Sequence, residues 1–598
     1  MPEPLEIKME DENGVDVASG FTHFSVDDVE LAGLRHSIRS IHGNYVMGFP
    51  KGAMGDSFHG GLGYYSPIPG GGQWDYRPSW VVGMGGGGET FFINPNGTLE
   101  ATKGGSLVAD TPGVNIGSLA SCGNTGIWTY TAGDGAIMKI DTSKGHVGLS
   151  GGPRSVAPGF CGVATKITYP NGLIVDINVK SRNDRYSRIQ SVTRNDGFQL
   201  KYNYVANAVD DVGFLELQSV VAVNNAFETC DPMADTCALP GIRRQSSYAW
   251  TTGAKSLTVT NQGGGATRFT LDRFDRVVGV KPPTSAVDKV NYEYCARPPH
   301  FGPGGVWLEP TPAEQAQMCS VTTFVLGGST PGINITNVHD RTRKVTRDGL
   351  VWTYNFPSGM YGYYYLKYDS VAPNGETRMA LSTILGTGAL LVVGSSEKVA
   401  NFENSSRNRM TSAQLRGGPL ETYSYDARGN MLSDGITSAD FAATCANINT
   451  CNKPVSVKDP AQNETSYTYY DHGGVRTETG PMVNNIRPQK RFDYVQRYAW
   501  FRNAAGVMTR SADPIWKLAS ESFCRNSAAT GNPAAPCAGN DEVLTTYDYG
   551  PDSGPNNLLT RGKVMTADGV SLRTCYGYDQ YANKISETEP KAGLTVCA

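Results

Sequence analysis

Tyr423-Ser424-Tyr425-Asp426-Ala427-Arg428-Gly429-Asn430-Met431-Leu432-Ser433 reads as a strand, a turn and a returning strand. Tyr423 and Tyr425 are two residues apart, so on an extended chain their rings stand side by side on one face. Asp426 ends the strand, because its carboxylate accepts hydrogen bonds from backbone N–H groups just ahead of it. Gly429 and Asn430 tolerate the positive φ of a tight reversal. A lone hairpin cannot bury an aromatic face in water, so this stretch is stable only if others stack beside it.

Others are present. The Tyr-Asp pair or a variant recurs at Leu271-Asp272, Tyr368-Asp369, Tyr425-Asp426, Tyr470-Asp471 (preceded by Tyr469), Tyr547-Asp548 and Tyr578-Asp579. The clearest copies carry an aromatic two places before the pair, at Phe269, Tyr423 and Tyr576. Half units stand at Arg188 to Tyr204 and at Trp352-Thr353-Tyr354 behind Asp348-Gly349. The aspartates are spaced by 97, 57, 45, 77 and 31 residues, which disfavours a strict solenoid and favours an irregular sheet with decorated loops. Helix signals are confined to Pro312–Met318 and Ser438–Thr444, far below the usual third of residues.

The chain has 598 residues, more than one core usually serves, and its 39% apolar and 18% charged content is that of a folded protein. Its 71 glycines, and 30 tyrosines against 20 phenylalanines, suit turns and half-buried strands. A net charge of −4 without a dense basic stripe excludes nucleic acid as a partner. No apolar run approaches a transmembrane span; the densest, Ala389 to Val393, is far too short. Met1 to Glu6 lack the basic and apolar regions of a cleaved leader, so either no such leader is used or it lies outside this chain.

The twelve cysteines favour the second option, because they fall into local couples. Cys230 is near Cys237, Cys295 near Cys319, Cys445 near Cys451, Cys524 near Cys537 and Cys575 near Cys597, with Cys122 and Cys161 remaining. Sequence does not determine connectivity, and nearest neighbours are the simplest assignment. CxxC-like metal spacing is lacking, so disulfides and an oxidising compartment are expected.

Three regions follow: a polar lead-in at 1–20, a Gly- and aromatic-rich N-terminal β domain at 21–160, and a repeat sheet at 161–598. The match to GxGxxG at Gly83 to Gly88 leads into Glu89-Thr90-Phe91-Phe92-Ile93, a strand, whereas a dinucleotide site needs a helix there. The match to GxSxG around Ser150 is followed by Gly152-Pro153, which forbids the helix of a nucleophile elbow. Eight scattered histidines form no metal motif. No catalytic, cofactor-binding or metal-binding residue is therefore assigned, and no cofactor is expected.

The repeated stretch resembles the Rhs or YD-repeat family, whose unit reads roughly Tyr-x-Tyr-Asp-x-x-Gly-Arg/Asn-hydrophobic. Phe269-Thr270-Leu271-Asp272-Arg273-Phe274-Asp275-Arg276-Val277 and Tyr576-Gly577-Tyr578-Asp579-Gln580-Tyr581-Ala582-Asn583-Lys584 fit it with conservative swaps. The resemblance covers residues 162 to 598 and implies an all-β fold, with irregular hairpins stacked into a long curved or spiralling, shell-like sheet. In bacteria such shells often enclose a C-terminal toxin. The family's Asp-Pro-x-Gly-rich core has no counterpart here, since Asp231-Pro232, Asp459-Pro460 and Asp513-Pro514 lack its glycines, so neither self-cleavage nor toxicity is carried over.

The expected function is that of a non-enzymatic, extracellular or cell-surface structural protein, a shell or stalk, or the N-terminal part of a toxin-delivery protein. Two alternatives stay open. Rows of tyrosine could bind carbohydrate of a neighbouring cell surface by stacking, although packing is the commoner use of such rows. An unpaired last strand could also template self-assembly into an extracellular filament.

Overall fold

At the quoted hairpin the Asp426 N–H donates to the Asn430 carbonyl at 2.9 Å and the Gly429 N–H to the Asp426 carbonyl at 3.1 Å. Gly429 has φ +99°, so a type I turn is closed by one left-handed residue, a three-residue loop that favours glycine at its end. The same pair of bonds closes hairpins at Asn94–Thr98, Ala132–Ala136, Tyr169–Leu173, Asn261–Gly265, Ala372–Glu376, Asp459–Asn463, Tyr470–Gly474, Asn503–Val507 and Asp579–Asn583. Two of these hairpins lie before residue 160, so the Gly-rich N-terminal stretch is made from the same unit as the rest.

The structure is a computed structural model. It describes residues 11–15, 22, 24–39, 60–65, 79–84, 87–119, 125–144, 159–181, 187–239, 244–251, 255–272, 276–296, 300–301, 307–308, 311–312, 319–325, 332–338, 341–355, 365–383, 388–393, 396–402, 409–415, 417–528, 537–590 and 594–597.

The protein is nearly all β, with 54% strand against 3% helix, as the scarcity of helix signals requires. Each strand pairs antiparallel with the next in a long ladder from Ser106–Ala109 to Leu420–Thr422. The ladder branches at Gly159–Thr168. On the side away from Ile137–Asp141, the first half of that strand meets Gly60–Tyr65 and the second half meets Ile174–Ser181. No described pairing joins the ladder's two ends, so the sheet is open and is not a barrel. The change of composition at residue 161 is not a break in it, because Gly159–Thr168 runs straight across.

A second, 12-stranded sheet follows from Ser424–Tyr425 to Lys584–Glu587. The extended segment Leu420 to Tyr425 passes the ladder on. Its first part pairs with Met410–Leu415, and its last two residues pair with Met431–Ser433. Ser438–Phe441, expected as helix, is a strand of this sheet, paired with Pro454–Lys458. The helical turn lies further on at Ile448–Cys451, where the Asn447 side chain accepts from the Asn449 N–H. Pro312–Met318 falls almost wholly outside the described residues.

The lead-in expected at 1–20 is integral where it is described. Val15 is 0% and Asn13 2% exposed, and Val15 bridges to Thr22. The hairpin of Ser25–Leu31 and Leu34–Arg39 continues this segment. Phe24, Val29, Leu31 and Leu34 share one apolar core with Trp80, Trp128, Val192, Tyr202, Phe269, Tyr292, Val345 and Tyr354 of the long sheet. Polar bonds fasten the same segment. Asn13 Nδ2 donates to the Tyr354 hydroxyl at 3.0 Å, the Trp352 Nε1 donates to Glu12 at 2.8 Å, and Arg378 pairs with Glu12 at 2.5 Å. Burial opposes ionisation of Asp11, outweighing the bonds it accepts from Tyr354, Val15 and Asn13, and holds its carboxyl above the ordinary range.

Candidate functional site: hairpin clamps and the seam between courses

The aspartate of the quoted unit is a clamp on its own loop. Asp426 Oδ1 accepts from the Arg428 and Asn430 N–H groups at 2.8 and 2.9 Å, and Oδ2 accepts from Asn430 Nδ2 at 2.9 Å. Asp579 repeats this with Tyr581 and Asn583. Asp272 bonds the Arg276 N–H at 3.0 Å and its guanidinium at 2.6 Å. Asn261 and Asn503 make the same backbone contacts with an amide oxygen. Burial alone would raise the Asp426 and Asp579 carboxyls, but the bonds from Asn430 and Asn583 lead a set that brings each below the ordinary range.

In five copies the second tyrosine of Tyr-x-Tyr has a separate job. Its hydroxyl reaches back to a carbonyl of the preceding strand: Tyr204 to Ile189 at 2.7 Å, Tyr469 to Pro454 at 2.7 Å, Tyr549 to Leu518 at 2.8 Å, Tyr578 to Thr560 at 2.9 Å, and Tyr294 to Val277. A β-bulge stands immediately before every one of these tyrosines. The added twist of a bulge swings the ring across the neighbouring strand. One unit therefore ties three successive strands together. Phenylalanine cannot do this, which gives the excess of tyrosine a physical reason.

Three of the six Tyr-Asp landmarks are not clamps. Asp471 is one place too late: Tyr470 occupies the clamp position, and the Asp471 carbonyl instead accepts from Asn447 and Asn449. Asp548 lies inside the strand Glu542–Tyr549 and pairs with Arg573. Tyr368 and Asp369 lie within Tyr365–Val371, opposite Ala380 and Met379, and the clamp position of that hairpin is Ala372. The dipeptide was the wrong key, because the loop geometry is set by the left-handed residue three places after the clamp. The unit around Tyr292 and Tyr294, whose rings stack at 6.4 Å, lacks the aspartate and was missed for that reason. Tyr-x-Tyr alone would have found it.

The remaining landmark rings whose side chains are described are engaged within the chain, and the Tyr368 ring lies outside them. Phe269 is buried edge-on to Phe24 at 6.2 Å, and the Tyr423 hydroxyl bonds Glu421 at 2.7 Å. Cations of this chain lie over Tyr425 (Arg409), Tyr469 (Lys453), Tyr547 (Lys563) and Tyr576 (Lys584) at 4.9 to 5.8 Å. Burial and then the neighbouring Tyr467 push the Tyr469 phenol up to about 12.

Cys230–Cys237, Cys445–Cys451, Cys524–Cys537 and Cys575–Cys597 are disulfides, with Cα atoms 4.9 to 5.6 Å apart. Cys295 is also disulfide-bonded, and the side chains of Cys319, Cys122 and Cys161 lie outside those described. One group among the described residues, Cys524, Cys537 and Asp541, brings its donor atoms within 4.8 Å, the spacing of a metal site. The two sulfurs are bonded to each other, so that site does not exist in this state. The GxGxxG match is the hairpin of Ser79–Met84 and Gly87–Ile93, with Gly83 opposite Gly88. The GxSxG match lies outside the described residues.

The feature sequence reading missed is a seam. Loops of the long sheet dock on the C-terminal half of the chain: Asn452 Nδ2 donates to the Gly133 carbonyl at 2.8 Å, the Trp516 N–H to the Asn171 carbonyl at 2.8 Å, and the Arg502 N–H, from the separate hairpin of Trp500–Arg502 and Met508–Arg510, to the Asn225 carbonyl at 2.7 Å. Asn224 Nδ2 donates to Asn556 Oδ1 at 2.8 Å and the Gln580 carbonyl at 2.6 Å. Partners in the side-chain contacts are 319 to 356 residues apart, so the ribbon returns and lays one course along another.

No protein-family model and no curated protein sequence matches the chain. Among solved structures, it aligns with the TcdB2-TccC3 crystal structure at 10% identity, over 84% of this chain and 26% of that one, with a TM-score of 0.29. It aligns with TcdB2-TccC3-TEV at 9% identity, over 87% and 23%, with a TM-score of 0.28. A Photorhabdus luminescens Tc holotoxin pore carrying a TccC3 mutation gives 9% identity, 92% and 27%, and a TM-score of 0.26. This chain spans about a quarter of the length of each. Scores this low do not establish a shared fold.

Proposed function

We propose that this chain is a wall-building protein of the Rhs or YD-repeat type. It acts without catalysis, outside the cell or at its surface, as the shell or stalk of a toxin-delivery protein. The observation that carries this reading is the seam, where courses of one continuous ladder dock turn against turn over separations of 319 to 356 residues. A ribbon that coils back on itself makes a curved wall. The clamps and tyrosine bonds are the joints of that wall, and the disulfides suit an oxidising exterior. The N-terminal segment already covers part of one face, so enclosed cargo would lie elsewhere along the wall. Cryo-electron microscopy of the purified chain tests the reading. A curved wall with two adjoining courses is the expected result, and separate, independently oriented sheets would overturn it.

A second reading is favoured by the last strand, Lys584–Glu587, which pairs only with Val570–Tyr578 among the described residues and is exposed along its length, Ile585 at 68%. An open edge of this kind recruits another strand, here from a second copy. Sedimentation over a range of concentrations tests it. Strictly monomeric behaviour would dismiss self-assembly and leave the wall untouched.

A further inference from the structure

We infer that Cys524–Cys537 is an exchangeable disulfide, poised by Arg491 to be opened by a dithiol donor before the other described disulfides. Arg491 lies in Gln489–Arg497, opposite Ser522 of Ile515–Cys524, and its side chain is 1% exposed. Its Nη2 is 3.4 Å from Cys537 Sγ, 3.8 Å from Cys524 Sγ and 2.7 Å from Glu542 Oε1. A neutral disulfide gains little from an adjacent guanidinium, whereas a thiolate gains a full charge–charge attraction in a buried site. The cation therefore stabilises the reduced state over the oxidised one. Elsewhere, Cys575 Sγ faces the Val596 carbonyl at 3.9 Å, Cys230 Sγ meets the neutral Gln199 amide at 3.6 Å, and the guanidinium in the neighbourhood of Cys597, Arg573, is paired with Asp548.

Two carboxylates oppose the effect. Glu542 is the anion Arg491 holds in the oxidised protein, and it competes with the thiolate for the same charge. Asp541 lies within 4.8 Å of both sulfurs, but the Asn526 and Ser527 N–H groups and the Ser527 hydroxyl already bind it. The chemistry balances as ordinary exchange. A donor thiolate attacks Cys524 Sγ, the S–S bond breaks, and Cys537 leaves as a thiolate beside Arg491. The donor's second thiol then attacks the mixed disulfide and expels Cys524. Two electrons pass to the cystine, the donor ends as its own disulfide, and of its two protons one stays on Cys524 and one goes to water. Opening removes a cross-link between residues 13 positions apart in sequence. This inference is independent of the wall reading.

The test is equilibration of the native protein in buffers of graded reduced and oxidised dithiothreitol at pH 7.5, acid quenching, alkylation and peptide mass mapping of each pair. Cys524–Cys537 is expected to open at the least reducing ratio. Arg491→Met, which removes the cation beside the leaving thiolate, should shift its midpoint about tenfold toward more reducing buffer, about 30 mV for this two-electron couple. Glu542→Gln should shift it the opposite way. Opening of Cys230–Cys237, Cys445–Cys451 or Cys575–Cys597 before Cys524–Cys537 would overturn the inference, as would an unchanged midpoint in folded Arg491→Met. If Arg491→Met does not fold, Glu542→Gln decides alone: no shift, or a shift toward more reducing buffer, refutes the role of Arg491.

Discussion

Gly172→Ala tests the seam. Gly172 is the left-handed residue of the Tyr169–Leu173 hairpin, with φ +84°, and a Cβ there would lie 2.4 Å from the Pro514 carbonyl oxygen and 3.4 Å from Ile515 Cα. Next to it the Asn171 carbonyl accepts the Trp516 N–H at 2.8 Å. Gly375 is the matched control: it holds the same position in the Ala372–Glu376 hairpin, at φ +79°, with nothing within 4 Å of its Cβ position. Alanine at either site costs about 1 kcal/mol for the left-handed backbone. Only at Gly172 must the facing backbone also move, a further cost of about 1–3 kcal/mol. Hydrogen exchange by mass spectrometry on a peptide spanning 514–518 reads that difference locally. At about 1.4 kcal/mol per factor of ten, the Trp516 amide should exchange roughly 5- to 150-fold faster in Gly172→Ala and at the parental rate in Gly375→Ala. Equal behaviour of the two variants at 514–518 would refute the docking of one course on the other.

Three further outcomes follow from the hairpin unit. Ala582 occupies, at φ +63°, the loop position that Gly429 fills at φ +99°, so Ala582→Gly should stabilise the C-terminal hairpin by about 0.5–1 kcal/mol, seen as a higher urea midpoint. Tyr578→Phe removes the hydroxyl bonded to Thr560 and should cost about 1 kcal/mol in the same assay, whereas Tyr576→Phe, whose partner is the cation Lys584 over its ring, should cost less. Asp579 is held below its ordinary 3.8 because bonds from Asn583 and Tyr581 outweigh its burial, so its contribution is present above that value and fades as pH falls through the lower folded value. Asp579→Ala should therefore be less stable than the parent at pH 7, with the gap in urea midpoint narrowing below about pH 4; a constant gap would remove the ionised carboxylate from the account.

Four of the six cysteine couples were legible because their members stand only 6 to 22 positions apart, where proximity in sequence is proximity in space. The unit was legible where local chemistry is complete, as at Asp272, Asp426 and Asp579. It was misread at Asp369, Asp471 and Asp548, where tyrosine and aspartate adjoin but the left-handed loop residue is differently placed. Hairpins begun by Asn94 or Ala132 carry no Tyr-Asp signal at all, yet their backbone bonds are the same. The segment 1–20 read only as a polar lead-in, because the tryptophan, tyrosine and arginine that bind it are Trp352, Tyr354 and Arg378, more than three hundred residues away.

By itself the sequence determined the hairpin, since a strand with alternating faces, a carboxylate clamp and a left-handed loop residue are set by neighbours a few positions apart. It also determined, through repetition, that these hairpins must stack. Only the tertiary structure decided how the stack curves, where one course meets another and what the N-terminal segment fills. Each strand adds a small right-handed twist, and the place where the ribbon closes on itself is the sum of many such twists and bulges. No local stretch encodes that sum, so Tyr423 to Ser433 specifies a joint, and the position of its course in the wall is set by all the joints before it.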